Sequence, residues 1–199
     1  GDELESVEVD EVGDVYTCGS SWSENFPVNP GTNIHEPFLD LAPGECNAVI
    51  MKFQASDKRL VWATYYGGYE DDTWLPKTKA AKLAVYKGAN TNLQYVFVTG
   101  STSCQDFDVY RDPLSPYASA HQDSFDGGTA RMWIGAFKKY DGQRDWATTH
   151  GEEGETRTWG EHGLAIDVNA SGRLAVGGML EAYQNADIID FEVVTPTLL

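Results

Sequence analysis

Val15-Tyr16-Thr17-Cys18-Gly19-Ser20-Ser21, followed by Phe26, returns 81 residues later as Val96-Phe97-Val98-Thr99-Gly100-Ser101-Thr102, followed by Phe107. Phe53 and Trp62-Ala63-Thr64-Tyr65 recur 84 residues on as Phe137 and Trp146-Ala147-Thr148-Thr149. A third, partial copy runs through Leu164-Ala165-Ile166-Asp167 and Arg173-Leu174-Ala175-Val176-Gly177-Gly178. Similarity at a fixed interval means one supersecondary unit used several times, so the fold must be one in which copies stack on each other.

The repeated segments are short, rich in Val, Ile, Phe, Tyr and Trp, and bounded by Gly, Asn, Asp and Pro, which is the pattern of strands. Four strands are expected in the first unit, near 6–9, 14–18, 48–53 and 60–65, and four in the second, near 82–86, 94–100, 132–138 and 145–149. The third unit supplies 163–168 and 173–179, with a further candidate at Ile188 to Val194. First-to-second and third-to-fourth connections are tight and carry turn residues. Second-to-third connections are long, 19–47 and 101–131, and so is the link 66–81 between units. In an antiparallel meander this alternation puts every short turn at one end and every long loop at the other, where binding usually resides.

A four-stranded unit cannot bury both its faces alone, and radial stacking of such sheets is the propeller solution. The expected fold is therefore all-β: propeller blades, each a four-stranded antiparallel meander, about two and a half in number. The units are 1–66, 67–149 and a partial third at 150–199. So few blades would make an incomplete ring or part of a larger propeller, whose edges a partner protein or further blades of the same polypeptide must cover. Trp62 and Trp146 are expected between neighbouring blades. Gly19, Gly100 and Gly178 mark a point where the backbone needs room or a positive angle.

These segments resemble a bacterial family. Val96-Phe97-Val98-Thr99-Gly100-Ser101-Thr102-Ser103, with Phe107 downstream, is similar to the YVTGST…DFP element of β-propeller repeats of the SBBP type. Asn25-Phe26-Pro27-Val28-Asn29-Pro30-Gly31 resembles the family's NFPVTPG stretch, and Val61-Trp62-Ala63-Thr64-Tyr65-Tyr66-Gly67-Gly68 its STYLGG element. Ala120 to Gly128 is similar to a stretch of the long-loop versions found in gliding and marine bacteria. Gly151-Glu152-Glu153 departs from the expected Gly-Gly, and the third copy loses the Ser-Thr and Phe signals after Gly178. The resemblance implies a secreted or cell-surface propeller used in adhesins and surface assemblies, and it brings no catalytic residues with it.

Composition bounds the partners. With 14 basic against 31 acidic side chains, the net charge of −17 repels phosphate backbones and anionic membrane surfaces, so nucleic acid binding is not expected, and no apolar run approaches the roughly 20 residues needed to span a bilayer, so membrane insertion is not expected either. Gly1-Asp2-Glu3 has no initiator Met and no signal-peptide pattern, which suggests a mature product or a fragment. Three cysteines are too few for a disulfide scaffold, yet Cys18 and Cys46 bracket the first long loop and form a candidate staple worth about 3 kcal/mol. Two buried thiols are the alternative, and Cys104 is left over.

No nucleophile elbow, paired-His zinc helix, phosphate loop or dinucleotide fingerprint occurs. His35, His121, His150 and His162 all lie in or beside long loops. Glu70-Asp71-Asp72 and Glu152-Glu153-Gly154-Glu155 follow the fourth strands of two units, and their oxygens make calcium the one candidate cofactor. Trp22, Tyr69, Trp74, Tyr110, Tyr117 and Trp159 stud the same loops and could contact a protein, stack on a glycan or pack within the loops. The expected function is non-catalytic: extracellular adhesion or assembly through the long-loop face. A structural subunit of a surface filament or of a secretion or motility machine, and a propeller-type hydrolase or lyase, are the rival classes.

Overall fold

The structure, a computed structural model, describes residues 1–23, 26–27, 46–68, 78–104, 107, 109–111, 130–150, 158–182 and 188–194. Within them the chain is antiparallel β-sheet. Strands β1 (Asp2–Val9), β2 (Val15–Ser21), β3 (Asn47–Phe53) and β4 (Leu60–Tyr66) form sheet I in sequence order. Sheet II contains β5 (Thr78–Val85), β6 (Tyr95–Thr102), β7 (Tyr110–Arg111), β8 (Arg131–Lys138) and β9 (Arg144–His150), in the order β5-β6-β8-β9-β7. Sheet III is β10 (Thr158–Val168), β11 (Leu174–Ala182) and β12 (Ile188–Val194). One 3₁₀ turn, Thr91–Leu93, interrupts the β5–β6 connection, where the Asn90 side chain accepts from the Asn92 amide.

Two features differ from the sequence expectation. Tyr110–Arg111 adds a fifth strand to the second unit, pairing with Ala147 and Trp146 at its outer edge. Each first strand also begins earlier than its alternation pattern suggests, because each carries a bulge: the register slips between Leu4 and Ser6, between Ala80 and Lys82, and between Gly163 and Ala165. A bulge reverses which face the following residues take, so simple alternation fails across it.

The bulges explain the repeated glycines. Leu4 pairs with Gly19, Ala80 with Gly100 and Gly163 with Gly178, so each glycine lies opposite a bulge. A Cβ there would come 1.9 Å from the Glu3 carbonyl oxygen, 1.8 Å from that of Lys79 and 2.5 Å from that of His162, respectively. None of the three has a positive φ; close backbone approach alone excludes a side chain.

The sheets stack through their first strands, with β5 packed against β1, β2 and β3 on one side and β10 on the other. Tyr16, Cys18, Ile50, Trp62 and Tyr66 of sheet I share one core with Leu83, Val85, Val96, Val98, Trp133 and Phe137 of sheet II. Phe97, Ile134, Ala136 and Trp146 of sheet II share a second with Ile166, Leu174 and Val176 of sheet III. Trp62 and Trp146 are thus both buried between sheets, and the Trp62 indole donates to the Lys139 carbonyl at 3.2 Å. Phe26, Val49, Met51, Ala63 and Tyr65 make a third cluster on the other face of sheet I.

Candidate functional site

Sequential antiparallel pairing puts the turns 10–14 and 54–59 at one end of sheet I, and 86–94 and 139–143 at the same end of sheet II. That end is tied off by charge. Asp10 is only 8 % exposed and accepts from the Val12 and Asp14 amides at 3.1 and 2.9 Å and from the Tyr16 hydroxyl at 3.1 Å. Lys139, reaching across from sheet II, places Nζ 3.5 Å from Asp10 Oδ2, 3.2 Å from Glu11 Oε2 and 3.3 Å from the Tyr86 carbonyl. Burial, then the Asp10 carboxylate beside it, pushes the Tyr16 phenol far up, so it stays a donor. Asp14 pairs with Lys52 at 2.9 Å, and that contact holds its carboxyl below the usual range. Tyr86 donates to the Ala170 carbonyl at 2.9 Å and joins the third turn to the other two.

The opposite end launches every long connection. The first starts pinned: Trp22 donates its amide to the Gly1 carbonyl at 3.0 Å, Ser21 its hydroxyl to Asp2 at 2.5 Å, and the Tyr65 hydroxyl donates to the Ser23 carbonyl at 2.6 Å. The Phe26 amide donates to the same Tyr65 oxygen at 3.0 Å, and burial raises that phenol's pKa. Beside it, Thr78 joins sheets I and II. Its amide donates to the Cys46 carbonyl at 3.0 Å, and its hydroxyl lies 2.9 Å from that of Thr102 and 3.4 Å from Cys104 Sγ. The Trp133 indole donates to the Lys79 carbonyl at 2.9 Å.

Of the aromatics singled out in the sequence, two have described side chains. Trp22 is half-buried at the long-connection end, with Lys79 Nζ 5.3 Å from its ring centre. Tyr110 lies on the outer edge of sheet II, its ring centre 4.4 Å from the Arg144 guanidinium, which Tyr66 also contacts at 5.4 Å. The structure does not bring Trp22 and Tyr110 together: one sits at the strand ends and the other against β9. Trp159 falls in β10 with only its backbone described, and Tyr69, Trp74 and Tyr117 lie outside the described residues. So do Glu70, Asp71, Asp72, Glu152, Glu153 and Glu155, and His35 and His121. His150 ends β9 and His162 lies within β10. Among the described residues no three His, Cys, Asp or Glu groups gather as a metal site, and no helix is long and apolar enough to cross a membrane.

The Cys18–Cys46 staple is corrected. All three cysteines are buried thiols. Cys18 pairs with Ile50 while Asn47 pairs with Ser21, so Cys46 lies about four residues, roughly 13 Å, along the sheet from Cys18. A disulfide needs Cα atoms within about 7 Å. Burial instead pushes the Cys18 thiol up to about 12.

Lys79 over Trp22 and Lys139 among Asp10 and Glu11 were not visible in the sequence. Each belongs to a different unit from its partners, and only the repeat phase could have aligned them. No family model matches this chain, and no curated protein matches it.

Proposed function

We propose that this chain is a segment of a non-catalytic extracellular β-propeller that holds a protein partner through the end from which its long connections leave. The observation that carries this reading is the division of labour between the two strand ends. One end is closed by short turns, stitched from sheet to sheet by Lys139, Tyr86 and the buried Asp10. The other launches the connections that span 22–46, 67–77 and 103–130, with Trp22 and Lys79 at their base. A frame rigid at one end and elaborated at the other suits recognition. Stacking through the first strands and the likeness to SBBP-type repeats both support the propeller.

Labelled chain added to intact bacterial cells tests the reading. Retention is expected, weakened about tenfold by Trp22→Ala, the ratio that corresponds to roughly 1.4 kcal/mol at a contact tryptophan. Absence of retention, or retention indifferent to Trp22→Ala, would overturn it.

A further inference from the structure

We propose that Asn169 is an attachment site for an N-linked oligosaccharide, at the end of the sheets opposite the long connections. Asn169-Ala170-Ser171 is the only Asn-x-Ser/Thr triplet in the chain, the pattern that an oligosaccharide transferase requires. It lies in the turn between β10 and β11, and all three residues are exposed.

The turn by itself accounts for part of the triplet. Asn169 Oδ1 accepts from the amides of Ser171 and Arg173, both at 3.0 Å. The Asn169 amide donates to the Arg173 carbonyl at 3.0 Å, and the Gly172 amide to the Asn169 carbonyl at 2.9 Å. The turn 10–14 repeats these bonds one for one. Asp10 Oδ1 accepts from the Val12 and Asp14 amides at 3.1 and 2.9 Å, the Asp10 amide donates to the Asp14 carbonyl at 3.0 Å, and the Gly13 amide donates to the Asp10 carbonyl at 3.1 Å. Gly13 and Gly172 both take positive φ, 89° and 80°. A side-chain oxygen at the first position is what such a turn needs, and Asp supplies it as well as Asn. Val12 stands where Ser171 does. The fold therefore explains an oxygen at 169, but neither the amide nitrogen beside it nor the hydroxyl two residues on, and those are the two groups the triplet adds.

Both groups are placed for transfer. The Ser171 hydroxyl donates to Asn169 Oδ1 at 2.7 Å, so it lies against the amide that reacts. Asn169 Nδ2 donates to no group among the described residues. In sheet I the corresponding atom, Asp10 Oδ2, accepts from the Tyr16 hydroxyl at 3.1 Å. Ala175 holds the Tyr16 position in sheet III and offers Nδ2 nothing. A sugar on Nδ2 leaves Oδ1 a carbonyl oxygen, so every bond of the turn survives. The Tyr86 hydroxyl, donating to the Ala170 carbonyl at 2.9 Å, ties the turn to sheet II from its other side.

Transfer is a substitution at the anomeric carbon of an oligosaccharide carried on an isoprenoid diphosphate. Nδ2 bonds to that carbon, the carbon–oxygen bond to the diphosphate breaks, the lipid diphosphate departs with the electron pair, and Nδ2 gives up one proton to a base of the transferase. No oxidant or reductant takes part. Such transfer occurs on exported chains, so the proposal rests on the extracellular part of the reading above. A bulky hydrated chain at the short-turn end leaves the long connections clear for their partner.

Peptide mass analysis of the protein purified from the cells that naturally make it tests the proposal. The peptide that contains Asn169 is expected to carry the mass of one oligosaccharide. Asn169→Asp and Ser171→Val, which copy the turn of sheet I and so keep the fold, should each lose the added mass completely when made in the same cells. Ser171→Thr keeps the hydroxyl and should retain it. An unmodified Asn169 in chains recovered from the cell surface, or added mass that persists in Asn169→Asp or Ser171→Val, would overturn the proposal. An unmodified surface chain that still holds its partner condemns the glycan alone, whereas a chain confined to the cytoplasm removes the glycan and the extracellular reading together.

Discussion

A methyl group on Gly100 would sit 1.8 Å from the Lys79 carbonyl oxygen, and one on Gly19 would sit 1.9 Å from that of Glu3. The local collisions are nearly the same, but the neighbours differ in their freedom to move. Lys79 is carried by β5, which is packed between sheets I and III, whereas Glu3 is on β1, an edge strand whose first residues are exposed. We expect Gly100→Ala to cost about 3 kcal/mol, in the range of an overpacked interior, and Gly19→Ala distinctly less because β1 can shift outward. Urea unfolding of both variants checks the order, and equal losses would show that β1 is held as firmly as β5. The recurrence of this glycine was legible in the sequence, and its purpose only half so. Spacing showed that the backbone needed either room or a positive angle; the choice depended on a bulge in another strand, which leaves no mark in the glycine's own neighbourhood.

Strands were legible to the extent that alternation persisted. The second, third and fourth strands of the first two units, and the second and third of the last, lie close to where their apolar pattern places them, whereas the first strands begin at Asp2, Thr78 and Thr158, ahead of the pattern, because the bulges reverse its phase. The extra strand Tyr110–Arg111 was hidden for another reason: it is two residues long and has no period to detect. The candidate site was less legible than the fold, since contacts such as Lys79 with Trp22 join units whose mutual placement no local pattern encodes. Turns give a prediction at this scale. Asp14 accepts from the Ala55 amide at 2.9 Å and pairs with Lys52, tying the two turns of sheet I together, and its folded pKa lies below its ordinary value. A depressed carboxyl adds stability that is complete above the unfolded value of about 3.9 and is lost as pH falls through the folded one. The melting temperature of the protein should therefore exceed that of Asp14→Asn at neutral pH, with the gap closing only below about pH 4. A gap constant down to pH 2 would mean that the charge of Asp14 does not matter.

Across the whole molecule, two kinds of electrostatics act in opposite senses. A net charge of −17 on 199 residues opposes compaction by self-repulsion among exposed groups, and salt weakens that repulsion. Lys139, 5 % exposed, instead holds sheet II to sheet I through Asp10, whose side chain is 3 % exposed, and Glu11, whose side chain is 47 % exposed. Replacing Lys139 by Met would leave Asp10 charged and buried, though still hydrogen-bonded by Tyr16 and two amides, at a cost of about 3 kcal/mol. Glu11→Gln removes a partner that water already solvates and should cost well under 1 kcal/mol. Raising salt from about 10 mM to about 150 mM should stabilise the protein and both variants alike, because that span takes the screening length from about 30 Å to about 8 Å and acts on surface charges. The gap between the protein and Lys139→Met should survive that change, since little salt penetrates between the sheets. Urea unfolding at the two salt concentrations measures both quantities. A gap that shrinks with salt would place Lys139 in solvent contact and remove it as the tie between the sheets.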